Sequence, residues 1–188
     1  MSDLRGLLER IVPALEGANI PFMVTGSFAS AAHGLPRSTN DLDIIIDPTR
    51  DALDALLKQL PPKTYYVDAD AAHDALQRRG MFNVIDHATG WKIDFIIRRN
   101  RSFSREEFDR RSAMSLLGVQ VLMASAEDTI LAKLEWSKAS GGSERQRRDI
   151  AGIVATQGES LDQTYLWHWL RELELEAEWA LAQQTSIA

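Results

Sequence analysis

VTGSFASAAHGLPRSTNDLDIIID, residues 24–47, is the stretch of sequence that decides the fold of this chain. It begins at the end of a short apolar run, and Gly26-Ser27 has the turn chemistry that ends a strand and begins a short helix. Asp41 and Asp43 then lead into a β-branched run that is typical of a strand. Residues two apart on a strand point to the same side, so these two carboxylates are predicted to project together.

The two carboxylates indicate a cation site. Like charges held that close repel each other unless a cation lies between them. Oxygen-only ligation suits Mg²⁺, whose coordination is completed by water and by the phosphates of a substrate. A third carboxylate, Asp94, lies in a second apolar run, WKIDFII at residues 91–97. An aspartate pair on a surface strand is common, but unpaired charges in apolar strands are expensive, and the combination of the three favours a functional site.

This order of motifs resembles the signature of the nucleotidyltransferase superfamily, in which a Gly-Ser or Gly-Gly pair is followed by Asp-x-Asp and a later strand carries a third carboxylate. The resemblance covers roughly residues 20–97. It implies an α/β (α+β) fold, with a nucleotidyltransferase-like mixed β-sheet flanked by helices. It also implies that Asp41, Asp43 and Asp94 are the catalytic residues and the ligands of two Mg²⁺ ions, with Mn²⁺ as a possible substitute.

The nucleotide-binding residues are predicted from the same stretch. The helix after Gly26 and Ser27 has free backbone N–H groups at its N-terminus, which is a natural phosphate site. Arg37 lies in the loop that follows, where it is either a contact to a triphosphate or a solvated arginine. His33 is interpreted as a helix-end or core histidine rather than a catalyst.

The C-terminal part of the chain carries a second resemblance, on KLEW at residues 133–136, SERQ at residues 143–146 and RDI at residues 148–150. These motifs are similar to those of uncharacterised bacterial nucleotidyltransferases related to abortive-infection toxin transferases. The resemblance implies that Lys133 contacts phosphates and that Asp149 orients Lys133 or a neighbouring base contact. Taken alone, a helix lysine usually faces solvent, and Arg148-Asp149 is equally compatible with a surface ion pair.

Hydrophobic periodicity and turn residues predict alternating strands and helices, followed by helices only. Residues 1–123 are expected to form the catalytic core and residues 124–188 a C-terminal helical region packed on it. Pro13 is expected to kink or break the first helix. Strands are predicted at residues 22–25, 41–46, 64–67, 81–85, 91–97 and 119–123, and helices at residues 3–18, 27–33, 49–60, 69–79, 125–138, 143–156 and 161–183.

An arginine-rich segment, residues 98–111, contains six arginines and three acidic residues. One interpretation is a solvated helix with ion pairs between residues four apart. The other is a basic rim that steers an anionic substrate toward the carboxylates. The sequence leaves both open.

The composition limits the classes of protein to which this chain can belong. A chain of 188 residues with 45% hydrophobic residues can bury a core, and its lack of cysteine excludes disulfides, zinc–thiolate sites and thiol nucleophiles. A net charge of −6 argues against broad non-specific binding of nucleic acid. No apolar run reaches membrane-spanning length, and residues 1–20 are neither basic nor apolar enough for a signal peptide, so a cytoplasmic protein is expected.

These features together predict a metal-dependent enzyme that transfers a nucleoside monophosphate from an NTP to a hydroxyl acceptor. The acceptor is RNA, protein or a small molecule, and the resemblance to abortive-infection transferases adds a cognate toxin or antitoxin as a candidate partner. The alternative is a non-catalytic nucleotide-binding or antitoxin-like module with the same fold. Retention of three carboxylates favours the enzyme, because a binding module does not need a general base.

Overall fold

The computed structural model describes residues 2–186, which divide into two compact units. The first unit contains the chain up to Thr25 together with Thr39–Met123. The second contains Gly26–Ser38 and the chain from Ala124 onward. The chain therefore changes unit at Thr25, at Ser38 and at Met123.

A mixed seven-stranded sheet forms the first unit, with the strand order β3-β4-β5-β2-β1-β7-β6. Strands β2 and β5 are parallel, as are β1 and β7, and the other neighbouring pairs are antiparallel. The predicted mixed sheet with flanking helices is confirmed. The strands are β1 Phe22–Val24, β2 Asp41–Ile46, β3 Tyr65–Val67, β4 Met81–Asp86, β5 Lys92–Ile97, β6 Ser112–Leu116 and β7 Val119–Met123.

One face of this sheet carries the hydrophobic core of the first unit. The β-branched run of β2 places Leu42, Ile44 and Ile46 on this face, and each is at most 1% exposed. The register pairs Ile44 with Phe95 of β5, whose ring lies 5.3 Å from that of Phe82. The opposite faces of β2 and β5 consequently carry the intervening residues, which include the three predicted aspartates.

Four helices belong to the first unit: α1 Ser2–Gly17, α3 Arg50–Lys58, α4 Ala69–Arg78 and α5 Ser102–Asp109. Helix α1 buries its leucines and packs against α3 and β7. Thr49 and Asp68 cap α3 and α4 by accepting hydrogen bonds from backbone N–H groups three residues later. Within residues 2–186, no helix combines the length and the apolar character that crossing a membrane requires.

Five helices form the second unit: α2 Gly26–His33, α6 Ala126–Ala139, α7 Glu144–Gln157, α8 Gln163–Glu172 and α9 Glu176–Gln183. Helix α2 packs against α6 and α7, and His33 at its end bonds through Nε2 to the carbonyl oxygen of Ala124, 2.8 Å away. Ser125 caps α6 by accepting a hydrogen bond from the N–H of Asp128.

Two predictions of secondary structure are wrong. Helix α1 runs without a break from Ser2 to Gly17, so the predicted break at Pro13 is wrong, whereas the alternative of a kink there stays a prediction. The single helix expected at residues 161–183 is two helices, α8 and α9, separated by a turn in which Glu174 has a φ of 56°. The sequence does not predict strand β6, because SAMSL contains no β-branched or aromatic residue.

Candidate active site

Five polar residues share one face of the sheet in the first unit; we call them the carboxylate cluster. They are Asp41 and Asp43 of β2, Lys92 and Asp94 of β5, and Asn83 of β4. The parallel register pairs Asp41 with Lys92 and Asp43 with Asp94, and the antiparallel register pairs Asp94 with Asn83. Because paired residues of neighbouring strands point to the same side, the register brings the three aspartates to adjacent positions.

Lys92 bridges two of the aspartates. Its Nζ lies 2.9 Å from Oδ2 of Asp94 and 3.5 Å from Oδ1 of Asp41. Asp94 also accepts a short hydrogen bond from the side-chain amide of Asn83. The hydrogen bond to Asp94 raises the pKa of Lys92 above the ordinary value, so its ammonium stays charged at neutral pH. The Asp94 side chain is 10% exposed, whereas that of Asp41 is 48% exposed and open to solvent.

The cluster fits a divalent metal in the chemistry of its donors, which are hard carboxylate oxygens on neighbouring strands. Two of those carboxylates already contact one cationic group, the ammonium of Lys92. Across residues 2–186, however, no group of three or more histidine or acidic side chains is arranged closely enough to hold a metal ion as it stands. A divalent ion held by both Asp41 and Asp94 would compete with Lys92 for their oxygens.

A second set of polar residues, which we call the polar network, lies within the second unit and consists of Ser27, Arg37, Lys133, Gln146 and Asp149. Asp149 is its centre. Oδ2 of Asp149 accepts a 2.7 Å hydrogen bond from Nζ of Lys133, and Nε of Arg37 lies 3.1 Å from Oδ1. Lys133 also donates to Oε1 of Gln146 at 2.9 Å, and Arg37 donates a short hydrogen bond to the hydroxyl of Ser27.

Burial makes the polar network sensitive to the loss of any member. The side chains of Lys133 and Asp149 are 7% and 6% exposed, and that of Arg37 is 24% exposed. A buried ion pair is strongly destabilised when one partner is removed, because the remaining charge is left in an apolar environment. The network also fixes the hydroxyl of Ser27 on the first turn of α2.

Helix α2 begins at Gly26, where the sequence predicts a phosphate site. Gly26 has a φ of 64°, a conformation that favours glycine. Its carbonyl oxygen accepts a 3.0 Å hydrogen bond from the hydroxyl of Ser30. The N–H groups of the first helical turn have no partner within a helix, and together with the helix dipole they favour an anion.

The predicted site residues therefore form two groups in the structure. Asp41, Asp43 and Asp94 are neighbours in the first unit. Ser27, Arg37, Lys133 and Asp149 form one connected network in the second unit, with Gly26 next to Ser27 in the chain.

Sequence reasoning missed Lys92 and Asn83. The spacing of Lys92 two residues before Asp94 on the same strand was a usable signal, because it places both side chains on one face. The position of Asn83 opposite Asp94 depends on the register of β4 with β5, which apolar periodicity and turn residues do not specify.

The arginine-rich segment is largely engaged within the first unit. Arg98 forms an ion pair with Asp47, with Nη2 of Arg98 2.7 Å from Oδ2 of Asp47. Arg101 donates to the hydroxyl of Ser104, and Arg105 donates to the side-chain oxygen of Asn100. Arg111 lies over the ring of Phe108, 4.1 Å from its centroid. Residues 102–109 form helix α5, whose Phe103 and Phe108 are buried, so the segment is in part a structural element rather than a solvated helix.

The arrangement of strands and helices is that of the nucleotidyltransferase fold. The antibiotic-resistance factor ANT(2'')-Ia, in its solution structure, is similar to this chain with a TM-score of 0.57 and 14% identity, covering 95% of this chain and 98% of that chain. Its crystal structure in complex with adenylyl-2''-tobramycin gives a TM-score of 0.58 and 13% identity, covering 89% of this chain and 97% of that one.

Two further solved structures share the fold. An antigenic nucleotidyltransferase-like protein from Paracoccidioides brasiliensis has a TM-score of 0.52 and 19% identity, covering 94% of this chain and 91% of that one. The lincomycin-bound lincosamide antibiotic adenylyltransferase LnuA has a TM-score of 0.51 and 13% identity, covering 76% of this chain and 91% of that one. No protein-family model and no curated protein matches the sequence. At such low identities these structures establish the fold, and the reaction has to be argued from the residues.

Proposed function

We propose that this protein is a metal-dependent nucleotidyltransferase that moves a nucleoside monophosphate from an NTP to a hydroxyl acceptor. The observation that carries the proposal is the register of β2 with β5, which makes Asp41, Asp43 and Asp94 neighbours on one face of the sheet. Three carboxylates on one face are costly for stability unless they bind cations. The nucleotidyltransferase fold supports the same conclusion.

Asp41, Asp43 and Asp94 are assigned as the ligands of Mg²⁺, or of Mn²⁺ in its place. Two such ions, when bound, neutralise phosphate charge and lower the pKa of the acceptor hydroxyl. Asp41 and Asp43, on one strand, serve the ion that accompanies the nucleotide. Asp94, on the neighbouring strand, serves the acceptor side.

The proposed reaction is an in-line displacement at the α-phosphorus. The acceptor oxygen forms a bond to the α-phosphorus, and the bond from that phosphorus to the oxygen bridging to the β-phosphate breaks. Pyrophosphate leaves, and the hydroxyl proton passes to a carboxylate oxygen of Asp94, which acts as general base. Asn83 holds that carboxylate by its hydrogen bond and thereby limits its rotation.

The polar network is assigned to the β- and γ-phosphates of the nucleotide. The first turn of α2 offers backbone N–H groups, and Ser27 and Arg37 offer a hydroxyl and a guanidinium, which are donors suited to phosphate oxygens. Asp149 accepts hydrogen bonds from both Arg37 and Lys133, and it thereby holds the guanidinium of Arg37 in position.

The acceptor in this proposal is a small molecule, RNA or protein. Two of the structurally similar proteins are named for antibiotic substrates, which favours a small molecule. The engagement of Arg98 with Asp47 weakens the case for a basic rim that attracts RNA. A role in defence, with a cognate toxin or antitoxin as partner, and a location in the cytoplasm both remain predictions from the sequence.

A second candidate function is a nucleotide-binding module that does not turn over. The ion pairs of Lys92 favour it, because they partly neutralise the aspartates without any metal. Under this hypothesis the protein binds an NTP equally well with Mg²⁺ and with EDTA, and no nucleotide becomes attached to an acceptor.

Label transfer and calorimetry test the proposal together. Calorimetric titration with ATP and with GTP, in Mg²⁺ and in EDTA, is expected to show binding only with the metal. Incubation with each of the four α-labelled NTPs and either cell extract or a panel of aminoglycosides and lincosamides is expected to transfer label and release pyrophosphate.

The matched variants are Asp43→Asn in the cluster and Asp51→Asn on the exposed first turn of α3. The first is expected to abolish label transfer and the second to leave it unchanged. Binding that is independent of metal, with no transfer to any acceptor, would establish the binding module in place of the enzyme.

A further inference from the structure

Lys92 is the cationic residue of the carboxylate cluster, and its position is unusual for a predicted metal site. Its ammonium contacts both Asp41 and Asp94, the two carboxylates that come from different strands. It therefore stands where an ion shared by the two strands would bind. A metal ion and a lysine ammonium compete directly at such a place, because both gain their energy from the same carboxylate oxygens.

The Lys92 side chain can also move away from the two aspartates without burying its charge. It is the first residue of β5, its side chain is 38% exposed, and the side chain of Asp41 beside it is 48% exposed. The four-carbon stem of a lysine is flexible, and the ammonium is readily hydrated when it turns toward water. Displacement therefore requires the breaking of two ion pairs and no rearrangement of the sheet.

We infer that Lys92 is a positioning residue that holds Asp41 and Asp94 in place in the absence of metal and competes with the first divalent ion for them. Lys92 thus sets the metal affinity of the free protein. The inference rests on the proposed function, because it takes the aspartates as metal ligands. It adds a residue that the motif does not contain, and it explains how Asp41 and Asp94 lie close together in the metal-free protein.

The ion pairs of Lys92 also affect the order in which metal and nucleotide bind. A protein whose carboxylates are already paired with a lysine binds free metal weakly. An NTP that brings its own Mg²⁺ supplies the additional binding energy needed to displace the lysine. Loading of the metal is then coupled to the arrival of the nucleotide, since the two binding events share one unfavourable step.

The test measures the binding of Mn²⁺ alone to the full chain, by the electron paramagnetic resonance of free Mn²⁺ and by calorimetry. Lys92→Met removes the ammonium and keeps most of the stem, and its Mn²⁺ Kd is expected to be about five- to tenfold lower than that of the unchanged protein. Lys92→Arg keeps the positive charge, and its Kd is expected to be no lower. Lys63→Met, at an exposed position of the same unit, removes one charge elsewhere and controls for net charge.

Thermal melting is the second readout. Metal-free Lys92→Met is expected to melt below the unchanged protein, because Asp41 and Asp94 lose the ammonium that both of them contact. Saturating Mn²⁺ is expected to raise its melting temperature more than that of the unchanged protein. In the double variant Lys92→Met/Asp94→Asn, the gain in Mn²⁺ affinity is expected to disappear.

The outcomes separate this inference from the proposed function. Equal Mn²⁺ Kd values for Lys92→Met, Lys63→Met and the unchanged protein would overturn the role of Lys92 without contradicting the proposed metal site. A lower melting temperature of Lys92→Met with an unchanged Mn²⁺ Kd would likewise show that Lys92 forms a structural ion pair and does not set the metal affinity. Absence of Mn²⁺ binding in every variant, at millimolar metal, would overturn the metal site itself and the inference with it.

Discussion

Lys133 and Asp149 form a buried ion pair in the second unit, with 2.7 Å between Nζ of Lys133 and Oδ2 of Asp149. The other oxygen of Asp149 faces Nε of Arg37, so that one carboxylate serves two cationic side chains. Arg37 in turn donates to Ser27 on the first turn of α2. Asp149 therefore connects the C-terminal helices to the residues predicted to bind phosphate.

The first prediction concerns the stability that Asp149 provides. Asp149→Asn leaves two cationic side chains facing a neutral amide in a buried environment, and it is expected to lower the free energy of unfolding by about 3–5 kcal/mol. Glu144→Gln, on the same helix, removes an ion pair with Arg148 in which both side chains are more than 60% exposed. Its expected effect is about 0–1 kcal/mol. Urea denaturation measures both, and similar losses in the two variants would show that the network contributes no more than a surface pair.

The second prediction compares two serines of helix α2. Ser27→Ala removes the hydroxyl that receives the hydrogen bond of Arg37, and it is expected to weaken the binding of Mg²⁺·NTP by about five- to tenfold. Ser30→Ala removes a hydroxyl that bonds only to the carbonyl of Gly26 among the described contacts, and nucleotide affinity is expected to stay within about twofold. Calorimetric dissociation constants of Mg²⁺·NTP for the two variants test this difference. Equal weakening in both variants would assign the effect to helix stability rather than to phosphate contact.

The third prediction concerns the different roles of Asp43 and Asp94 in nucleotide binding and turnover. Asp43→Ala is expected to weaken Mg²⁺·NTP binding as well as turnover, because Asp43 serves the ion that arrives with the nucleotide. Asp94→Ala is expected to leave nucleotide affinity within a few-fold while turnover falls by about 10²–10⁴, as expected for loss of a general base. The measurements are Mg²⁺·NTP dissociation constants and rates of label transfer. If Asp94→Ala loses nucleotide binding as severely as Asp43→Ala, this division of labour is wrong.

Asn83 provides an internal check on the role of Asp94. Asn83→Ala removes the hydrogen bond that holds the Asp94 carboxylate and keeps the carboxylate itself. Turnover is expected to fall less than in Asp94→Ala, with nucleotide affinity unchanged. Turnover equal to that of the unchanged protein would mean that the orientation of Asp94 is fixed by other contacts.

The fourth prediction concerns Gly34, which follows α2. A Cβ at this position would lie 2.7 Å from the backbone nitrogen of Ile153 and 2.9 Å from the carbonyl carbon of Gly152, both in α7. Gly34→Ala is therefore expected to destabilise the second unit by about 1–3 kcal/mol, since the backbone of a helix cannot move aside easily. Gly6→Ala, inside α1, meets only the end of the Arg10 side chain at 3.6 Å and is expected to be neutral or stabilising by up to about 1 kcal/mol. Thermal and urea denaturation of both variants tests the prediction, and an unaffected Gly34→Ala would show that α2 and α7 can separate to accommodate a methyl group.

The sequence by itself determined the local geometry of this protein. Alternation along a strand places Asp41 and Asp43 on one side, and the turn chemistry of Gly26-Ser27 ends β1 and begins α2. Apolar periodicity and capping residues located most helices, and the hairpin of β4 and β5 follows from the turn between them. The mixed sheet with flanking helices could be predicted for this reason, and the resemblance of the Gly-Ser and Asp-x-Asp motifs to the nucleotidyltransferase signature implied the particular fold.

Only the tertiary structure decided which distant residues meet. Asp94 stands beside Asp43 because β5 pairs in parallel with β2, and a shift of the register by one residue would turn its side chain to the core face. Arg37 reaches Asp149 across 112 positions of sequence, a contact that no local pattern encodes. The pairing of Lys92 with Asp41 likewise depends on strand register, since ion pairs are fixed by distances in space, whereas propensity and periodicity act only between neighbours along the chain.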